Sequence, residues 1–109
     1  MERTAEIGGK EYRLVINGGT PRIYRSLFHR DIFRDMPKAV SANGEINDTE
    51  VFEDLAFTAC IQGGSISVGT KIEDWLASLD SPLAVLEVVP TLMEMWAEDT
   101  ATISTAKKE

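Results

Sequence analysis

Hydrophobic residues alternate with polar ones near the start of the chain and recur every three or four positions over most of the rest. Tyr12, Leu14 and Ile16 stand at period 2 around Arg13 and Val15, the pattern of a strand with one buried face. Gly8-Gly9 precedes them and supplies the positive φ angles of a tight two-residue turn, so "TAEIGGKEYRLVING" reads as a β-hairpin with a short first arm. From Thr20 the period becomes helical. Thr20 as N-cap and Pro21 at the first helical position open a helix with the stripe Ile23, Tyr24, Leu27, Phe28 and Ile32. Pro37 is expected to end it, and "SANGEIND" reads as turn and loop.

A second helix is expected from Asp48 or Thr49, with Val51, Phe52, Leu55, Ala56, Ala59 and Cys60 at helical spacing and Gly63-Gly64 as its stop. A short third helix follows, with Thr70 as N-cap, Glu73 completing a capping box, and an apolar face of Ile72, Trp75, Leu76 and Leu79. The fourth opens at Asp80 or Ser81 with Pro82 near its first turn, and Pro90 within it is expected to kink or split it. Beyond Asp99 no period is sustained. The expected fold is mainly α (α+β): an N-terminal β-hairpin followed by about four helices in a small bundle. Residues 1–99 form a single domain, and 100–109 a flexible polar tail.

Charge changes this picture by dividing the chain. Eight Lys/Arg stand against five Asp/Glu up to Val40, and thirteen acids against Lys71, Lys107 and Lys108 from Ser41 on, for a net −7 overall. General nucleic-acid binding needs a continuous basic face, which this distribution opposes; only Arg22, Arg25, Arg30 and Arg34, off the stripe of the first helix, favour DNA. The acids read as solvated helix faces that also admit a basic or amphipathic partner. No run of about 18 apolar residues is present, so no membrane span is expected. The charged start lacks the apolar core of a signal peptide, and a single cysteine fits the cytoplasm.

Catalytic constellations are sparse. His29 is the one histidine and Cys60 the one cysteine, which excludes a zinc site built from Cys and His. Cys60 lies on an apolar stripe and reads as a packed residue. Gly63-Gly64-Ser65 has no Walker lysine after it and reads as a helix stop. Adjacent acids at Glu53-Asp54, Glu73-Asp74 and Glu98-Asp99 point to different parts of a helix surface and read as solubilising. No enzyme activity, cofactor or metal is expected. "LMEMWAED" is more informative: Leu92, Met93 and Trp96 share helical spacing with Met95 near the edge. Met and Trp serve both cores and adaptable binding surfaces, so these four are the candidate protein-binding residues, while Trp75 reads as core.

The order of these segments resembles the tail assembly chaperones of tailed phages and prophages of Gram-positive hosts. "IGGKEYRLVING" and the Arg-rich helix resemble their opening; "EDLAFTACIQGG", "IEDWLASLD", "AVLEVVPTLMEMWAED" and the terminal "STAKKE" resemble the rest. The likeness is one of order and texture over nearly the whole chain, and no single motif carries it. It implies a protein of the bacterial host cytoplasm, absent from the mature virion, that coats the tape measure protein and keeps it soluble until tail tube subunits polymerise around it. It also implies a longer frameshifted form that recruits the tail tube protein. Lys107-Lys108 is compatible with an adenine-rich slippery run, and marks the candidate frameshift position. Homo-oligomerisation stays open. The alternatives are a structural virion component such as a head–tail joining protein, and a DNA-binding regulator using the arginine helix.

Overall fold

A computed structural model gives the fold; it describes residues 1–97 in full and the backbone of the last helix through Lys108. The hairpin pairs β1 (Glu2–Ile7) with β2 (Lys10–Val15) in antiparallel register, Ile7 opposite Lys10, so that Gly8 and Gly9 make the two-residue turn. Both glycines have positive φ, 58° and 84°, as a turn of this length demands. The first arm is as long as the second and begins at Glu2, two residues before the expected start. Ile7, Tyr12, Leu14 and Ile16 are buried.

Among the described residues five helices follow: α1 (Thr20–Phe28), α2 (Ile32–Ala39), α3 (Thr49–Gln62), α4 (Ile72–Ala77) and α5 (Ala84–Lys108). The hairpin-plus-helices architecture of the α+β class is the one the hydrophobic pattern predicts, with one helix more. The extra helix comes from a break in the arginine-rich segment. His29 adopts a left-handed φ of 58°, and its N–H donates to the Arg25 carbonyl at 2.8 Å, closing α1. Asp31 then opens α2 as N-cap, its carboxylate accepting from the Phe33 N–H at 2.9 Å. Pro37 lies inside α2, which runs on to Ala39, so the proline does not end the helix.

Other helix ends differ by a residue. Thr20 lies within α1 and Gly19 is the N-cap, because Thr20 is drawn inward: its hydroxyl accepts from the Asn17 N–H at 2.8 Å and donates to Gln62 at 2.5 Å. Thr70 is held in a turn by its own N–H bond to the Ser67 carbonyl, so Lys71 caps α4 without a side-chain bond and the capping box does not form. Asp48 caps α3 as expected, and its carboxylate accepts from the Glu50 N–H at 3.0 Å. α5 passes through Pro90 as one helix; the proline forgoes a single backbone hydrogen bond there without dividing it.

α3 is the axis of the molecule. Val51, Phe52 and every residue from Asp54 to Cys60 are buried, so α3 is enclosed on all sides, with α1, α2, α5 and β2 around it. Its C-terminal Gly63 meets β2 so closely that a Cβ there would run into the Arg13 carbonyl. Ser65 pins the same point, its hydroxyl accepting from the Arg13 N–H at 2.6 Å and donating to the Arg13 carbonyl at 3.0 Å. An aromatic row crosses the core: Tyr12 lies 6.0 Å from Trp75, Trp75 5.7 Å from Phe57, Phe57 6.2 Å from Phe28, and Phe28 5.3 Å from Tyr24. These rings join the hairpin, α4, α3 and α1, which places Trp75 in the core as its spacing predicts. β1 packs on α5, and an Arg3–Glu94 ion pair of 2.7 Å fastens its edge. The backbone of the expected polar tail continues α5 as far as Lys108, while its side chains, those of Lys107 and Lys108 included, lie outside the described residues.

Candidate protein-binding groove

Helical geometry sorts the four C-terminal candidates into two pairs. Leu92 and Met95 are three residues apart on the inner face of α5, and both are 0% exposed. Met93 and Trp96 have the same spacing on the next face and are half-buried. The structure therefore places Leu92 and Met95 in the core and brings only Met93 and Trp96 to the surface. Met95, which reads from sequence as an edge residue, is an interior one.

What Met93 and Trp96 face is α2. Its inner residues Ile32, Met36 and Ala39 are buried, whereas Phe33, one position round from Ile32, stays 53% exposed. The Phe33 and Trp96 rings approach to 5.5 Å between centroids, with planes 48° apart. Phe33, Met36, Pro37 and Val40 form one wall and Met93, Trp96 and Ala97 the other of an apolar groove of about 360 Å³. The α2 wall is absent from the candidates read off the sequence. Phe33 was the available signal: a large apolar side chain one step off a stripe that Ile32 already satisfies, and so left at the surface.

The α2 wall is held in place by a polar cluster on its far side. Arg30, in the α1–α2 corner, donates from Nε to Asp35 at 3.1 Å, from Nη1 to Glu50 at 2.6 Å, and from Nη2 to Tyr24 Oη at 3.1 Å and to the Asp54 carboxylate. Tyr24 Oη in turn donates to Asp35 at 2.8 Å. One cation thus ties α1, α2 and α3 together, and it is unavailable as part of an exposed arginine face. Burial opposes the Arg30 charge, but the hydrogen bonds to Tyr24 and Glu50 outweigh it and hold the guanidinium above its ordinary value.

Asp54 is the opposite of a solvated acid, being 5% exposed on α3. Its environment raises the carboxyl to about 7: burial pushes it up, Arg30 pulls it down, and Glu50 pushes it up again. Arg30 is shared among three carboxylates, which is why its pull does not win. Burial, with Glu50 and Asp48 nearby, also raises Glu53.

Cys60 is fully buried in α3 and burial alone pushes its thiol up to about 12, whereas His29 is exposed at the α1–α2 corner. Among the described residues no cluster of His, Cys, Asp and Glu is arranged to hold a metal ion, and no helix is long and apolar enough to cross a membrane. Comparison with known proteins finds no family model, no curated protein and no solved structure that matches the chain.

Proposed function

We propose that the protein is a phage tail assembly chaperone, which binds amphipathic helices of the tape measure protein and keeps that protein soluble during tail morphogenesis. The observation that carries this reading is the apolar groove between α2 and α5, with Phe33, Met93 and Trp96 at the surface of a strongly acidic chain. A groove lined by aromatic and Met side chains suits the apolar stripe of a helix, since these residues cover area without demanding one shape. The net charge of −7 keeps a coated complex dispersed by mutual repulsion. The mechanism is binding without chemistry. The protein acts in the bacterial host cytoplasm and leaves before the virion matures, and a frameshifted extension beyond Lys107-Lys108 recruits the tail tube protein.

Co-expression tests the reading. A cognate tape measure protein is expected in the soluble fraction with the wild-type chain and in the pellet with Phe33→Ser. A tape measure protein that stays insoluble beside the wild-type chain overturns the proposal. Mass analysis of products made from the native DNA reads the frameshift directly, as a second, larger species sharing this N-terminus. Purified virions free of the protein separate the chaperone from a head–tail joining component.

A further inference from the structure

α2 has two outward faces of different character. Phe33 and Pro37, four residues apart, stand with Met36 and Val40 on the groove. Arg34 and Lys38 follow Phe33 and Pro37 by one residue each, about 100° further round the helix axis. They are exposed, and with Arg25, His29, Arg30, Asp31 and Asp35 they line an adjoining cavity of about 590 Å³. Arg30 is taken up by Asp35, Glu50 and Asp54, and Arg25 lies against Asp31, which leaves Arg34 and Lys38 as the cations of this face. The two carboxylates are already committed. Asp35 accepts from Tyr24 and Arg30; Asp31 caps α2 and lies 3.7 Å from Arg25. Among the described residues neither Arg34 nor Lys38 takes part in an ion pair.

We infer that the groove takes an amphipathic helix with an acidic border: its apolar stripe packs on Phe33, Met93 and Trp96, and its flank on the α2 side presents carboxylates to Arg34 and Lys38. This rests on the docking reading above and names the partner's chemistry. The border also fixes how the helix lies. Arg34 and Lys38 stand on the α2 side, whereas Met93, Trp96 and Ala97 of the α5 wall carry no charge, so a carboxylate flank is favoured on the α2 side. A second copy of the chain is a poor occupant, because two bodies of net charge −7 repel.

Three labelled helical peptides of one apolar stripe, with Glu, Gln or Lys along one flank, test this by fluorescence anisotropy with the full chain. The Glu peptide is expected to bind about three- to tenfold more tightly than the Gln peptide at low salt, and the difference to shrink as salt rises. The double variant Arg34→Glu/Lys38→Glu, at exposed positions, is expected to prefer the Lys peptide. Equal affinity for all three peptides, each weakened by Phe33→Ser, overturns the acidic border and leaves the groove standing. Absence of binding, or binding indifferent to Phe33→Ser, overturns the border and the docking reading together. A dimer in sedimentation velocity that Phe33→Ser dissolves assigns the groove to a second copy and overturns the inference.

Discussion

Phe33 and Trp96 meet across the groove with ring centroids 5.5 Å apart, although 63 positions separate them in the chain. Phe33 keeps half its surface in water, so its contact with Trp96 adds little to folding. Phe33→Ser is expected to cost about 0.5–1.5 kcal/mol in urea unfolding, the scale of one aromatic pair. Its effect on helix binding is expected to be far larger. A variant that loses stability heavily would place Phe33 in the core instead.

The inner face of α5 gives the opposite expectation. Leu92→Ala and Met95→Ala each leave a cavity against α3 and β1 and are expected to cost about 2–5 kcal/mol. Met93→Ala, about 100° round the helix from Leu92 and on the groove face, is expected to cost about 1 kcal/mol or less. Three denaturation curves measured side by side decide whether the division of the two pairs is right.

Asp54 makes stability depend on pH. Its carboxyl is raised in the folded chain, from an ordinary 3.8 to about 7, so the folded state binds the proton more tightly than the unfolded one. Its contribution is full below about 4 and is lost as pH rises through 7. The wild-type melting temperature is therefore expected to decline between pH 4 and 7 by this group, and Asp54→Asn to remove that decline. Identical slopes in the two proteins would show that Asp54 ionises normally beside Arg30.

The junction of α3 with β2 leaves no room for a side chain. Gly63→Ala drives a methyl group into the Arg13 carbonyl, which belongs to backbone on both sides and cannot swing away. An overpacking cost of about 1–3 kcal/mol is expected, with faster amide exchange in β2. Gly64→Ala meets no neighbouring atom but has a positive φ of 76°, so a smaller, purely conformational cost is expected there.

Much of this arrangement was readable from local pattern. The Gly8-Gly9 turn and the alternation of Tyr12, Leu14 and Ile16 specify the hairpin without help from the rest of the chain, and Asp48 and Gly63 mark both ends of α3. The break between α1 and α2 was hidden, because His29 in a left-handed conformation is not a residue type that announces one. Thr20 and Thr70 are good capping residue types held elsewhere, the Thr20 hydroxyl by Asn17 and Gln62 and the Thr70 backbone by a turn on Ser67. The division of Leu92 and Met95 from Met93 and Trp96 depends on which way α5 is turned about its axis, and that is set by α3 and β1. Asp54 reads as a surface acid until Arg30, 24 residues earlier, is found beside it. Half of the groove was missed because its α2 wall comes from a different helix.

The Arg3–Glu94 pair spans 91 positions, and β1 rests on the last helix of the chain. A ribosome adding about 5–20 residues per second needs roughly 5–20 s to travel that distance. Throughout that interval the hairpin can pair its own strands but has no α5 to cover its inner edge. The nascent chain therefore carries an unshielded strand for those seconds, a hazard that a fast-forming two-residue turn limits by closing β1 against β2 within microseconds.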